Sequence, residues 1–193
     1  MSPQPKEIVT MIWIVLTLLA CLPKKSTVTY EQSTDVRGYE LQDLTINLEA
    51  YDVKPVVYPM NRHHKAGSPY GWRQHPIKKK RSLHKGQDIP CKRGTPIRAV
   101  AGGTVVVSKR SQSAGKYIEI EHSSKTHTVT TRYMHMRVRH IREGDTVAMG
   151  QRIGSCGSTG MSTGPHLHFE VTVDGKAVPP FYRQYKIESS NPE

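Results

Sequence analysis

Short runs that alternate apolar and polar residues, separated by glycines, dominate the chain beyond residue 58. Strands of about four to eight residues produce such runs, whereas an amphipathic helix needs a stripe with a period of about 3.6 over a longer stretch. No helical stripe of that length is present in this part of the sequence. The runs are Ile97–Ala101, Thr104–Ser108, Tyr117–Glu121 and Phe169–Val173, with turns expected at Gly102-Gly103 and Asp174-Gly175. We therefore predict an all-β domain, either an antiparallel sandwich or an open curved barrel.

The charge is unevenly distributed along the 193 residues. Lys and Arg number 28 against 16 Asp and Glu, a formal net charge of +12. Residues 1–57 carry a net charge of −2 and residues 58–193 carry +14. A surface of that sign attracts polyanions, such as nucleic acid, anionic lipid or acidic envelope polymers, or simply aids solubility. The length fits one domain with a tail, and the composition excludes collagen, coiled coils and polytopic membrane proteins.

A largely apolar run of 13 residues, 8–20, lies near the amino terminus. It is shorter than the roughly 20 residues of a membrane-spanning helix but matches the core of a signal peptide. It ends in Leu18-Leu19-Ala20-Cys21, which is similar to the lipobox where a bacterial lipoprotein is cleaved and lipidated. Within the segment that follows, residues 41–48 have the spacing of one strand or a short helix. The predicted organisation is an export or lipoprotein-type segment at 1–23, a linker or arm at 24–57, a domain at 58–185 and a tail at 186–193.

Two short segments combine histidine with aspartate or with a second histidine. In an extended strand, the first and last side chains of His84-Lys-Gly-Gln-Asp88 would lie about 13 Å apart, too far to share one ion. Gly86 and Pro90 disfavour the helix that would make them neighbours. The remaining solution is a turn at Gly86. The second segment, His166-Leu-His168, projects both rings from one face of a strand.

Two histidines and one aspartate form a suitable three-ligand set for zinc and leave a fourth position for water. Each segment by itself is weak evidence, because an isolated His-x-His pair is more often an ordinary surface or core feature. His135 lies in Tyr133-Met-His135, which shows the same alternation. Glu170 continues the face of His168, either as a partner that orients a ligand or as a solvated strand residue. The remaining histidines are expected on the surface or in the core: His63, His64, His75, His122, His127 and His140.

A longer series of motifs extends from about Tyr70 to Pro180. The motifs are Gly71-Trp-Arg-Gln-His-Pro76, His84-Lys-Gly-Gln-Asp-Ile89, Gly94-Thr-Pro-Ile97, Ala99-Val-Ala-Gly-Gly103, Tyr133-Met-His-Met136, Gly144-Asp-Thr-Val147, Gly150-Gln-Arg-Ile-Gly154 and Ser158-Thr-Gly-Met-Ser-Thr-Gly-Pro-His-Leu-His-Phe-Glu170. The series resembles the lysostaphin-type zinc endopeptidases, which cut peptide cross-links in bacterial peptidoglycan, and its closing run is highly specific.

The resemblance implies a Zn²⁺ cofactor with His84, Asp88 and His168 as its ligands. It also implies that His135 and His166 are catalytic histidines that do not bind the metal. One would take a proton from water while the other donates to the oxyanion or the leaving amine, and the resemblance does not say which.

The chain departs from the family pattern at two places. A basic run, residues 78–81, stands where the family has a variable loop. Cys91 and Cys156 stand where small or apolar residues are usual, and they form either a disulfide after export or two small buried hydrophobic positions.

The leading hypothesis is therefore a zinc endopeptidase that hydrolyses peptide cross-links or stem peptides of peptidoglycan. The alternative is a non-enzymatic peptidoglycan-binding adaptor of the same fold, which the complete ligand set disfavours. Bacterial wall remodelling and phage-encoded wall lysis both fit. The protein is expected to be exported and to be periplasmic, envelope-associated or virion-associated, or lipid-anchored at Cys21.

The expected partners follow from the charge. The basic surface is expected to bind anionic envelope polymers, and membrane contact is expected only through the amino-terminal segment. No specific nucleic acid is expected, because Lys78-Lys-Lys-Arg81 lacks the interleaved aromatic residues on which bases stack.

Overall fold

Strands and turns make up the described part of the chain. The structure is a computed structural model that describes residues 44–46, 48, 51–53, 56–60 and 66–183. The strands are β1 (Leu44–Ile46), β2 (Gly71–Gln74), β3 (Arg81–His84), β4 (Gln87–Pro90), β5 (Pro96–Arg98), β6 (Gly103–Ser111), β7 (Gly115–His122), β8 (Val129–Met136), β9 (Val138–Arg139), β10 (Thr146–Val147), β11 (Arg152–Ser155), β12 (His166–Val173), β13 (Lys176–Val178) and β14 (Phe181–Arg183). The predicted all-β antiparallel class is confirmed.

A seven-stranded antiparallel sheet forms the body of the fold, in the order β10-β6-β7-β8-β12-β13, with β4 also pairing with β12. β12 lies in the interior of this sheet, because β8 runs along one edge while β4 and β13 share the other. Its residues from Leu167 to Val171 are all buried, so neither face of the strand is open to solvent there. Beside this sheet lie a three-stranded sheet, β5-β11-β9, and the β2–β3 hairpin.

The hydrophobic core packs between the strands that also carry the candidate active-site residues. Ile118 and Ile120 of β7 are fully buried, as the alternation in Tyr117–Glu121 predicts. Tyr133 of β8 pairs directly with Phe169 of β12, and their ring centroids lie 5.3 Å apart. The Tyr133 hydroxyl accepts a hydrogen bond of 3.0 Å from the amide of Val100, which satisfies this otherwise buried polar atom. These contacts anchor β8 and β12 to each other.

Residues ahead of position 58 also contribute to this core. β1 pairs with β14, as expected for a strand within residues 41–48. Leu48 is fully buried and Val53 is 3% exposed, and both belong to the main hydrophobic cluster. The predicted export segment, 1–23, and the predicted tail, 186–193, lie outside the described residues. Among the described residues, none forms a helix long and apolar enough to cross a membrane.

A disulfide joins Cys91 to Cys156, the pairing that the sequence left open. Cys91 directly follows β4, and Cys156 directly follows β11. The bond therefore ties the end of a strand of the main sheet to the three-stranded sheet.

Candidate active site

Three predicted ligands converge although His168 is 80 residues from Asp88 in the sequence. His84 ends β3, Asp88 lies in β4, and His168 lies directly opposite Asp88 in the β4–β12 ladder. The chain turns between β3 and β4 at Gly86, as predicted. A Cβ atom at Gly86 would lie 2.3 Å from the carbonyl oxygen of Phe169, so a larger residue does not fit at this turn. Glycine thus lets the backbone pass close beneath β12.

The ligand atoms form a compact triangle. His84 Nε2 lies 3.2 Å from Asp88 Oδ1 and 3.0 Å from His168 Nδ1, and His168 Nδ1 lies 2.8 Å from the same carboxylate oxygen. In a tetrahedral zinc site with bonds of about 2.0–2.1 Å, ligand atoms are separated by about 3.3 Å. The observed separations are close to this value. Two imidazole nitrogens and a carboxylate oxygen therefore fit one zinc ion as they stand.

In each of the two candidate ligand histidines, the ring nitrogen outside the triangle is hydrogen-bonded to an acceptor. His84 Nδ1 donates to the carbonyl oxygen of Pro69 at 2.6 Å, and His168 Nε2 donates to Glu170 Oε1 at 3.0 Å. When a metal ion is bound, these bonds would keep the ring protons on the nitrogens outside the triangle and leave a lone pair directed into it. Asp88 Oδ2 accepts from the guanidinium of Arg73 at 3.4 Å, so the oxygen that does not face the triangle is also held.

The charges of the site are strongly coupled. Burial opposes ionisation of Asp88, but hydrogen bonds from His168 and His84 hold the pKa of this carboxyl well below its usual range. Burial likewise opposes protonation of His168, but its bonds with Asp88 and Glu170 raise the pKa of the imidazole to about 9. Without metal, a proton therefore occupies His168 between two carboxylates. A metal ion would replace that proton with its own positive charge.

Glu170 is a buried partner of the candidate ligand His168 and not a solvated strand residue, since it is 5% exposed. Its second oxygen lies 3.3 Å from Arg132, which also contacts Glu119 at 2.6 Å. The sheet register builds this arrangement, because Arg132 of β8 lies directly opposite both Glu119 of β7 and Glu170 of β12. Burial opposes ionisation of Glu170, but its bond with His168 and then the charge of Arg132 lower the pKa of this carboxyl, and Arg132 also holds its second oxygen.

The two predicted catalytic histidines lie beside the triangle. The ring centroids of His135 and His166 are 4.8 Å apart, and His166 Nε2 lies 3.6 Å from Asp88 Oδ1. His135 has a positive φ of 60°, a conformation that is uncommon for residues other than glycine and is often found at functional sites. Burial lowers the pKa of His135 to about 4, although its bond to the Thr159 carbonyl opposes this. His135 is therefore neutral at physiological pH.

A cleft of about 460 Å³ opens over these residues. One wall is the β2–β3 hairpin with its connecting loop, and the other comes from the loops near residues 113 and 161–163. The two walls differ in charge. The hairpin side carries Arg73, Lys78 and Lys85, whereas the facing side carries Ser113, Met161, Ser162 and Thr163.

Three of the four remaining described histidines form side-chain contacts, and the fourth, His140, is exposed on the surface. His75 Nδ1 accepts from two amides of its own loop, and His122 is buried between the Gly102 carbonyl and the Thr131 hydroxyl. His127 pairs with Asp174 at 2.8 Å near the surface. His63 and His64 lie outside the described residues.

Sequence reasoning missed Arg73, Arg132 and the carbonyls that hold the histidine rings. Arg73 lies in the motif at residues 71–76, but nothing in the spacing of this motif indicates that Arg73 reaches Asp88. Arg132 could have been found only from the register of β7, β8 and β12. Backbone carbonyls leave no signal in a sequence, since every residue has one.

Comparison with known proteins agrees with this geometry. Residues 82–180 match the model of peptidase family M23. The chain is 41% identical over 125 residues to an uncharacterised metalloprotease of Haemophilus influenzae, covering 64% of this chain and 26% of that protein. It is 36% identical over 137 residues to the peptidoglycan DD-endopeptidase ShyA of Vibrio cholerae, covering 70% of this chain and 31% of the relative. The chain thus spans about a third or less of the length of these relatives.

Solved structures show the same similarity. A zinc-containing peptidase from Vibrio cholerae superposes with a TM-score of 0.61 and 34% identity, covering 66% of this chain and 40% of that one. The catalytic domain of lysostaphin from Staphylococcus simulans superposes with a TM-score of 0.55 and 34% identity, covering 61% of this chain and 89% of that domain. The match therefore includes nearly all of a catalytic domain. On the family model and these structures together, the chain belongs to peptidase family M23, a family of metallopeptidases.

Proposed function

We propose that this protein is a zinc-dependent endopeptidase that hydrolyses peptide cross-links or stem peptides of bacterial peptidoglycan. The observation that carries the proposal is the triangle of His84, Asp88 and His168 with His135 and His166 beside it in one cleft. The relatives support the substrate, since ShyA is a peptidoglycan DD-endopeptidase and a relative from Neisseria meningitidis is a DD-carboxypeptidase/endopeptidase.

His84 Nε2, Asp88 Oδ1 and His168 Nδ1 would hold the zinc ion. Zinc supplies a Lewis acid, which lowers the pKa of water and polarises a carbonyl group. Glu170, supported by Arg132, orients the ring of His168, and the Pro69 carbonyl orients the ring of His84. These bonds preorganise the site, because the ligand rings need not turn when the ion binds.

His135 and His166 would handle the proton. Nδ1 of each ring donates to a backbone carbonyl, so in the neutral form of either ring Nε2 carries the lone pair. Either ring can therefore take a proton from the attacking water at Nε2. In the division of roles that the resemblance implies, one ring takes this proton, and the other, when protonated at Nε2, donates to the oxyanion or the leaving amine.

The adaptor alternative requires a site that does not bind metal or does not turn over. The complete and well-oriented donor set argues against it. Metal analysis of the purified protein tests for the first kind of adaptor, since a degenerate site would bind no stoichiometric zinc, and the cleavage assay below tests for the second.

The location and the wider partners belong to the same proposal. We propose that residues 1–23 direct export, that the domain at 58–185 acts in the cell envelope or on a virion, and that its basic surface contacts anionic envelope polymers. The envelope location is supported by relatives that act on peptidoglycan. Lipidation of Cys21 stays a prediction. Bacterial wall remodelling and phage-encoded wall lysis stay two alternative predicted roles.

The direct test is digestion of purified peptidoglycan by the zinc-loaded full chain, with the released fragments identified by mass spectrometry. Walls cross-linked through diaminopimelate and walls with polyglycine bridges would be compared. Fragments with new free amino groups, produced where a peptide bond has been cleaved, would support the endopeptidase. Binding to the wall without fragment release, at full zinc occupancy, would support the adaptor.

A further inference from the structure

The basic side of the cleft belongs to a long stretch without acidic residues. Residues 53–87 contain nine Lys and Arg but no Asp or Glu. The β2–β3 hairpin and its loop lie within this stretch and form one wall of the cleft. Three of these nine cationic residues, Arg73, Lys78 and Lys85, line the cleft.

Two of these lysines are free to meet a ligand in the cleft. Lys78 and Lys85 both line it and both are exposed. Neither forms an ion pair with a carboxylate among the described residues, although Lys85 acts at longer range on Glu170. Arg73 differs from them, because its guanidinium is already paired with Asp88.

The acidic residues of the cleft do not neutralise these lysines. Asp88 is bonded to both candidate ligand histidines and to Arg73. Glu170 is bonded to His168 and to Arg132. A bound zinc ion would add further positive charge. The cationic lining residues Arg73, Lys78 and Lys85 therefore lie on the hairpin side, whereas Ser113 and residues 161–163 carry no charge.

The loop that carries Lys78 has a defined conformation. His75 Nδ1 accepts from the amides of Ile77 and Lys78 at 3.2 and 3.1 Å. The amide of His75 bonds to the Lys80 carbonyl at 2.8 Å, and the amide of Lys79 bonds to the His75 carbonyl at 2.9 Å. Because the loop backbone is held in this way, less conformational entropy is lost when Lys78 binds a ligand.

We propose that Lys78 and Lys85 bind carboxylates of the substrate, so that the cleft selects acidic peptides over neutral ones. This inference rests on the proposed function and narrows its substrate class. Cross-links through diaminopimelate carry carboxylates close to the scissile bond, whereas a polyglycine bridge is neutral. The lysines would draw an acidic peptide to the hairpin wall and thereby set its register over the zinc site.

The test uses the zinc-loaded full chain and two soluble peptides that differ only in charge. One is a cross-linked peptide with free carboxylates, and the other is the same peptide with those groups converted to carboxamides. We expect kcat/KM to be about tenfold higher for the acidic peptide, mainly through KM, since each exposed ion pair contributes modestly. About 0.5 M salt should reduce this preference by screening the charges.

The matched variants assign the effect to particular lysines. The double variant Lys78→Gln/Lys85→Gln should bring the ratio of the two kcat/KM values close to one. The control Lys79→Gln/Lys80→Gln removes the same charge from residues that do not line the cleft, and it should keep the wild-type ratio.

Three results would overturn the inference. Equal cleavage of both peptides by the wild type would remove the selectivity while leaving the proposed function intact. An equal fall of the ratio in both double variants would assign the effect to general surface charge instead of to Lys78 and Lys85. Cleavage of neither peptide, and of no wall sample, would overturn the proposed function and this inference with it.

Discussion

The carbonyl oxygen of Thr159 lies 2.8 Å from Nδ1 of His135 and accepts a hydrogen bond from it. The carbonyl oxygen of Gly164 does the same for Nδ1 of His166, also at 2.8 Å. Both carbonyls belong to the segment between β11 and β12, so one loop sets the tautomer of both rings. Nε2 of each ring is left as the acceptor, which is the state that a general base requires.

Zinc content and activity should separate the five site residues into two groups. Replacement by Ala of His84, Asp88 or His168 removes one ligand from three, so both zinc and activity should be lost. His135→Ala and His166→Ala should keep about one zinc per chain but lower turnover about 10²–10⁴-fold. Metal analysis beside peptidoglycan cleavage checks this. If His166→Ala loses zinc while His168→Ala keeps it, the roles within this pair are reversed.

Glu170 should strengthen zinc binding through His168. We expect Glu170→Gln to weaken zinc affinity about 10–100-fold, because an amide orients the imidazole less well than a carboxylate does. Arg132→Met should produce a smaller loss in the same direction, since Glu170 would keep its bond to His168. Competition with a coloured chelator measures both affinities. Lys116→Gln, a charge change on a neighbouring strand away from Glu170, serves as the control, and an equal loss there would contradict the prediction.

Gly86→Ala should disrupt the turn that joins two ligands. The new Cβ would lie 2.3 Å from the Phe169 carbonyl oxygen, so β4 must move away from β12. Overpacking of this kind costs about 1–3 kcal/mol, and here it also separates Asp88 from His168. Urea unfolding and zinc titration report the two effects. Gly102→Ala is the matched control, because its Cβ would meet nothing closer than 3.6 Å. Normal zinc affinity in Gly86→Ala would show that the turn tolerates a side chain.

His122 should make the fold less stable in mild acid. Burial lowers the pKa of His122, although the Gly102 carbonyl opposes this. The unfolded chain, with an ordinary pKa near about 6.5, therefore binds the proton more readily than the folded one. The contribution of neutral His122 to the free energy of unfolding is therefore present above that pH and is lost as the pH falls below it.

The check for His122 is the free energy of unfolding in urea between about pH 7.5 and 5, at the same metal content for both proteins. His122→Gln cannot titrate, so its stability should decline less steeply with falling pH than that of the wild type. Identical slopes would exclude a contribution from His122.

Residues 44–57 should stabilise the domain whose predicted start is residue 58. Leu48 and Val53 are buried in its core, and burial of such side chains contributes about 1.5–3 kcal/mol each. A chain that begins at residue 44 should therefore unfold at higher urea concentration than one that begins at residue 58. Equal midpoints, with equal peptidoglycan cleavage, would instead support a domain that is independent of this arm.

The sequence by itself determined the strand class, the turn at Gly86 and the shared face of His166 and His168. These features depend on short-range effects. Period-two alternation decides which side chains share a face of a strand, and glycine permits a turn where other residues would clash. The motifs also carried the resemblance that assigns His84, Asp88 and His168 to zinc.

Only the tertiary structure decided which distant residues meet. The pairing of Asp88 with His168 and the row of Glu119, Arg132 and Glu170 depend on strand register. The Cys91–Cys156 bond depends on the meeting of two strand ends from different sheets. A shift of one residue in any of these ladders would turn the side chains to the opposite face, and nothing local to each segment prevents it. The register is set by burial of the whole core, and so the chemistry of the site is a property of the folded sheet.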